Sequence, residues 1–262
     1  IMLGAICGDI IGSIYERINV KHTQFPLFSE GCRYTDDTTL TVAVADAIMN
    51  GKDYADTIRE YGRAHPLAGY GSSFIAWLDD PNAGPYDSWG NGSAMRVSPV
   101  AWLFNTMEEV LEHAKLSAEV THNHPEGIKG AQAIASSIFL ARTGFSKIQI
   151  QSYVEENFGY DLRRTIENIR PTYEFDVSCQ GSVPESIIAF LESDNYEDCI
   201  RKAISIGGDS DTIAAMAGSI AEAFYNDIPR EIIEGVMPIL QKIPTFMAVL
   251  TQFSQEIKKE AV

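Results

Sequence analysis

Apolar residues recur at helical spacing along most of the chain. The period of 3.6 predicts helices over 2–16, 37–49, 53–64, 94–104, 108–119, 126–142, 147–157, 161–169, 184–192, 196–205, 211–225 and 230–253. The last holds Pro238 and Pro244, so it is expected to be kinked or split. No stretch alternates apolar and polar residues between hairpin turns, and the expected fold is all-α, a compact orthogonal multi-helix domain spanning 1–262. Small residues form ridges on two of these segments, Gly4, Gly8 and Gly12 on one and Ala214, Ala215, Ala217, Gly218 and Ala221 on the other. Such ridges let helix backbones approach closely. The segment 40–48 is apolar on most of its circumference, so it too reads as a central, buried helix.

Two predicted helices open on clustered acids, Thr35-Asp36-Asp37-Thr38 and Gly208-Asp209-Ser210-Asp211-Thr212. Asp, Ser and Thr are common N-caps, because their oxygens accept from free backbone N–H groups. Adjacent or alternating acids exceed what one cap requires. Crowded carboxylates repel, and a cation removes that penalty. An all-oxygen set suits Mg²⁺ or Mn²⁺, whereas zinc recruits His or Cys. The spacing permits both clusters to meet at one end of a helical core.

Composition narrows the possible partners. The 262 residues carry a formal charge of −16, which disfavours nonspecific binding to nucleic acid or to anionic membrane. An anionic ligand must therefore be held locally, by metal ions, helix N-termini or glycine-rich loops. Cys7, Cys32, Cys179 and Cys199 show no Cys-x-x-Cys spacing and are expected to be ordinary reduced thiols. The apolar opening run contains Asp9 and lacks a basic leader, so it reads as a buried helix and not as a signal peptide or membrane span. A cytoplasmic location and a monomer are the default expectations.

Three further constellations carry candidate chemistry. Trp89-Gly90-Asn91-Gly92-Ser93-Ala94-Met95-Arg96 opens a helix with two glycines, whose exposed N–H groups suit a diphosphate; alternatively it is a glycine-rich turn capped by Ser93. In Thr121-His122-Asn123-His124 no third zinc ligand lies nearby, so either imidazole is free to bond ligand phosphate or ribose, or simply backbone. Glu16 ends the first predicted helix, before a polar segment, 19–28, expected to be a mobile loop. It is a general base, an extra ligand, or a solvated helix-end residue.

Taken together, Gly8-Asp9, Gly12-Ser13, Glu16, Thr35-Asp36-Asp37-Thr38, Gly90-Asn91-Gly92-Ser93-Ala94-Met95-Arg96, Thr121-His122 and Gly208-Asp209-Ser210-Asp211-Thr212 resemble the motifs of the ADP-ribosylglycohydrolase family, in family order. The resemblance implies an all-α domain with two divalent cations, Mg²⁺ or Mn²⁺, held by Thr35, Asp36, Asp37, Asp209, Asp211 and Thr212. It implies an ADP-ribose cleft contacted by Asn91, Gly92, Ser93, Ala94, Met95, His122, Gly208 and Ser210. Catalysis would fall to Glu16, Asp36 and Asp211, with Glu16 on a flap. The implied reaction is hydrolysis at the anomeric carbon of the terminal ribose, releasing ADP-ribose from a modified protein or a small-molecule conjugate. Arginine-linked acceptors are the first expectation, and O-linked (serine or acetyl) or nucleic-acid-linked ones the alternative. An inactive ADP-ribose-binding relative and a two-metal phosphoesterase compete with this reading.

Overall fold

A computed structural model describes residues 2–260 of the chain. Ile1 of the opening run, and Ala261 and Val262 at the end of the expected 1–262 domain, lie outside the described residues. The expectation of an all-α fold holds. The helices are α1 (Leu3–Gly12), α2 (Asp36–Asn50), α3 (Tyr54–Ala64), α4 (Ser72–Asp79), α5 (Gly92–Met95), α6 (Ser98–Leu103), α7 (Met107–Glu119), α8 (Pro125–Arg142), α9 (Lys147–Phe158), α10 (Ile166–Ile169), α11 (Cys179–Leu191), α12 (Tyr196–Ser205), α13 (Ser210–Tyr225), α14 (Arg230–Leu240) and α15 (Pro244–Glu260). The β-pairing found among the described residues is one isolated antiparallel bridge, Gly90 with Ser178. No described helix is long and apolar enough to cross a membrane.

The expected 2–16 helix ends at Gly12, so Glu16 lies beyond it, and the expected 184–192 helix begins earlier, at Cys179, capped by Ser178; four further differences also have a local reason. The predicted 94–104 helix is two, because Pro99 has no N–H to give the Met95 carbonyl, which instead accepts from Thr41 Oγ1 at 3.4 Å. The predicted 161–169 helix begins only at Ile166, where Thr165 caps it by accepting from the Asn168 N–H. The 230–253 pattern splits before Pro244, which opens α15. The short helix α4 was not expected; its eight residues bury Phe74, Trp77 and Leu78 along one face.

Helix α13 lies at the centre, packed on α1, α8, α11 and α12, and every residue from Ser210 to Ala223 is buried. Its contact with α1 is backbone to backbone. A methyl group on Gly8 would press on the Ala214 carbonyl and lie 2.8 Å from the Ala215 nitrogen; one on Gly12 would lie 2.5 Å from Asp211 Cα. Gly4 meets Gly218 in the same way. Rising numbers on α1 meet falling numbers on α13, so the helices run antiparallel. The C-terminal end of α1 therefore abuts the acidic start of α13.

Substituting Gly8→Ala tests this contact. Neither backbone can yield without separating the helices, so the change should cost about 3 kcal/mol or more, beyond ordinary overpacking. That corresponds to a melting temperature lower by roughly 6–12 °C for a chain of this size. An unchanged melting temperature would contradict the close approach.

Candidate active site

The site begins with Asp9, on the last turns of α1 and fully buried. Its carboxylate accepts four hydrogen bonds from the start of α2: Thr35 N–H at 2.9 Å, Thr35 Oγ1 at 2.6 Å, Thr38 N–H at 3.1 Å, and Thr38 Oγ1. Thr35 is the N-cap of α2, accepting from the Asp37 N–H at 3.2 Å. The acids that follow are therefore not caps. On α13, Asp209 occupies the N-cap position without capping, and its carboxylate accepts instead from Asn91 Nδ2 at 2.7 Å. Thr212 Oγ1 donates to Asp37 Oδ2 at 3.2 Å, which joins the two acidic clusters across the core.

The carboxylates form two trios that share one member. Ligand oxygens of Asp9, Asp37 and Asp211 lie within 4.8 Å of one another, and so do those of Glu16, Asp209 and Asp211. Asp36 stands beside them in the cleft wall, against the turn at Gly69. Burial, then neighbouring acids, raises Asp36 to about 8. Burial raises Asp209 to about 6, against the opposing bond from Asn91. Asp37 and Asp211 are pushed well above the ordinary carboxylate range, by burial first and then by the surrounding acids. Asp37 Oδ1 is sealed from solvent and has no hydrogen-bond partner. An orphaned, buried carboxylate oxygen among five other acids fits a hard, oxygen-seeking cation.

The opposite wall is the segment from Trp89 to Arg96, latched to the start of α11. The Asn91 N–H donates to Val177 O at 2.7 Å and the Cys179 N–H to Trp89 O at 3.0 Å. Between the walls lies a cleft of about 420 Å³ lined by Glu16, Asp36, Asp37, Asn91, Gly92, Met95, His122, Asp209 and Asp211, among others. Burial, then the Arg96 guanidinium, holds the His122 imidazole well below its usual range.

The remaining expected contacts fall elsewhere. Ser93 is neither a cap nor part of the cleft wall; its hydroxyl donates to Gly127 O at 2.7 Å, and the adjacent Ala94 is core. Gly208, at φ 70°, packs against Tyr173 and Glu174, and Ser210 Oγ donates to Gly12 O at 3.3 Å. His124 caps α8 through the Glu126 N–H. The flap is also more constrained than its polar sequence suggests. Lys21 Nζ donates to the carbonyls of Tyr173 and Ile206, each at 2.6 Å, and Asn19 Oδ1 accepts from the Gly208 N–H.

Sequence reasoning gave no individual role to Asp9 or Arg96, nor to the exposed apolar rim of Trp89, Phe175 and Val177. An acid inside an otherwise apolar run, three residues before the end of α1, was the available signal for Asp9. The rim carried none, because its members come together only through the Gly90–Ser178 bridge.

An all-α cleft with carboxylates at its base and a glycine-rich loop opposite defines a class of hydrolase, and sequence comparison identifies it. The profile of the ADP-ribosylglycohydrolase family matches residues 1–259, and the chain belongs to that family of enzymes acting on glycosidic bonds. It is 27% identical over 304 residues to the Homo sapiens ADP-ribosylhydrolase ARH3, covering 86% of this chain and 84% of that one. It is 26% identical over 279 residues to the ADP-ribosylarginine hydrolase Tri1 of Pseudomonas putida (strain GB-1), covering 90% and 72%. A solved structure titled ADP-ribosylglycohydrolase-related protein complex shares the fold, with a TM-score of 0.74 at 23% identity over 97% of this chain and 96% of that one.

The raised carboxyls fix the sign of a pH effect. Asp209 near 6 and Asp36 near 8, against an ordinary 3.8, mean that the metal-free fold binds more protons than the unfolded chain between those values. Their stability contribution is complete below about pH 4 and is lost as pH rises through the folded values. In EDTA the melting temperature should therefore fall between about pH 5.5 and 8, and saturating Mg²⁺ or Mn²⁺ should raise it more at the upper end. A melting temperature indifferent to either cation at both pH values would remove the cation from this site.

Proposed function

We propose that the chain hydrolyses the bond between ADP-ribose and an arginine side chain of a modified protein, using two divalent cations, Mg²⁺ or Mn²⁺. The observation that carries this reading is the pair of carboxylate trios sharing Asp211 at the base of a cleft walled by the Gly90–Met95 loop. Thr35, Asp36, Asp37, Asp209, Asp211 and Thr212 would hold the cations, with Glu16 at the edge of the second trio. When bound, such cations orient the vicinal hydroxyls of the terminal ribose and acidify a water.

The side chains supply the rest. Asn91 fixes Asp209, and Asp9 fixes the start of α2, so the base of the cleft is held by hydrogen bonds before any ligand arrives. Gly90 and Gly92, which carry no side chain, let a diphosphate approach the backbone, and Phe175 and Val177 on the cleft lining, with Trp89 exposed nearby, offer apolar surface to the base. Water adds to the anomeric carbon while Glu16, half-buried at the cleft edge, accepts its proton. The C–N bond breaks with its electron pair on the guanidine nitrogen, and the departing guanidine takes up the proton that Glu16 received from water, leaving Glu16 as a carboxylate again. The acidic base of the cleft stabilises the oxocarbenium-like charge and tolerates a guanidinium leaving group. The arginine specificity in the name of the Pseudomonas putida relative supports that linkage.

Mass spectrometry of an ADP-ribosyl-arginine protein incubated with enzyme and Mg²⁺ or Mn²⁺ tests the reading. Free ADP-ribose and unmodified arginine should appear, and EDTA should abolish both. Asp36→Ala and Asp211→Ala should each reduce turnover by at least about 10²-fold. AMP with a phosphoribosyl remnant would indicate a phosphoesterase. Release from serine- or acetyl-linked substrates alone would overturn the arginine assignment.

A further inference from the structure

Arg96 is fully buried, and neither of its hydrogen bonds goes to a carboxylate. Nη2 donates to Ser117 O at 2.8 Å and to Thr121 Oγ1 at 2.9 Å, while Nε and Nη1 have no partner. Burying a guanidinium in this way is costly, and tethering two helices does not require it. The next link explains what the charge is for. Thr121 Oγ1 lies 2.7 Å from His122 Nδ1, and His122 lines the cleft with Nε2 turned toward the glycine loop. A methyl group on Gly92 would lie 2.9 Å from that nitrogen.

We propose that Arg96 is a positioning residue, acting through Thr121 to hold His122 as a neutral imidazole with its proton on Nε2, a standing donor to the anionic part of a ligand lying along Gly90–Gly92. The identity of that ligand rests on the function proposed above; the state of His122 does not.

The hydrogen-bond inventory dictates the direction of the relay. Arg96 can only donate, so one lone pair of Thr121 Oγ1 is taken. The single hydroxyl proton then needs an acceptor, and Nδ1 is the close one. Tyr86, the other group beside Thr121, has a hydroxyl proton of its own to place and is the poorer acceptor. With Nδ1 accepting, the ring proton resides on Nε2. The charge of Arg96 completes the device. Burial acts first against an imidazolium, and a second cation beside Arg96 is disfavoured further, so the imidazole stays neutral where an isolated His would titrate. The groups facing His122 are Arg96, Tyr86 with its ring centroid 5.9 Å away, and the uncharged Ser88–Gly92 and Gly127 backbone, so no carboxylate opposes this effect.

Nitrogen NMR of ¹⁵N-histidine-labelled full-length protein tests the proposal without ligand, with His122 assigned by the signals missing from His122→Gln. Nδ1 should be unprotonated and Nε2 protonated, unchanged from about pH 5 to 8. A wild-type His122 that titrates in this window, or carries its proton on Nδ1, overturns the relay whether or not any variant folds. Arg96→Met, which removes the charge but leaves the burial, should move the onset of His122 protonation to higher pH than in the wild type. Thr121→Val should mix the tautomers and weaken ADP-ribose binding about tenfold, the loss of one oriented donor to a charged group. If wild type shows the expected spectrum but fails to bind ADP-ribose, the proposed function fails and the relay stands.

Discussion

The geometry of the site depends on the glycine-lined contact between α1 and α13. At most helix pairs, side chains separate the axes and set the spacing through their rotamers. Here Gly4, Gly8 and Gly12 bring one backbone onto another, and the last of these contacts, Gly12 on Asp211, reaches a carboxylate of the site itself. The separation between the acids of α13 and those at the end of α1 is thus a property of two rigid helices. A site on such elements is more precise than one on loops. Glu16 and the flap depart from the same point, immediately after the last glycine.

That precision confines six carboxylates, Asp9, Glu16, Asp36, Asp37, Asp209 and Asp211, to the base of one cleft, and they are not equivalent. Asp9 has both oxygens occupied by the N-terminal turn of α2, where hydrogen bonds and the helix dipole favour negative charge. Three of the four donors fall on Oδ2, so Asp9 orients the site through that oxygen and keeps Oδ1, with one donor, for the first trio. Asp209 is half-committed, to Asn91. Asp37 retains an unpartnered oxygen, and Asp211 belongs to both trios. The gradient from committed to uncommitted acids runs from the scaffold toward the cleft. A fold that merely tolerated buried acids would pair each one off.

Much of this was legible in the sequence, and the failures follow a rule. Long amphipathic helices such as α2, α8, α12 and α13 announce themselves by period and caps, and the small-residue ridges marked α1 and α13 as buried helices open to close approach, though not as each other's partner. The acids stood out because Asp36-Asp37 and Asp209-x-Asp211 exceed what capping needs; the structure shows Thr35 as the cap and leaves them free. What could not be read was anything set by chain segments far apart. Ser93 looks like a loop hydroxyl until α8 arrives to take its proton at Gly127. The Trp89–Phe175–Val177 rim exists only because two distant loops share the bridge at Gly90 and Ser178. Arg96 stands in the sequence only as the last residue of a glycine-rich cluster opening a helix, and its burial depends on α7 closing over it with the Ser117 carbonyl.

The charge of −16 and an anionic ligand appear to conflict only if the field of the whole protein is taken to do the attracting. Steering over long range is set by net charge and is screened beyond about 8 Å at physiological ionic strength. Retention in the cleft is set by what lies within a few ångströms. There the phosphate-facing wall carries the glycines of the loop, the His122 imidazole and, behind them, a guanidinium no carboxylate cancels, while the acids gather at the base and meet this wall only where Asn91 holds Asp209. The cleft is therefore polarised along its length. One end suits a diphosphate, the other a cation and the sugar hydroxyls it would hold. Because neither end depends on the global field, salt should act weakly on binding once the ligand has entered, and the outer charge of the chain is left free to serve solubility.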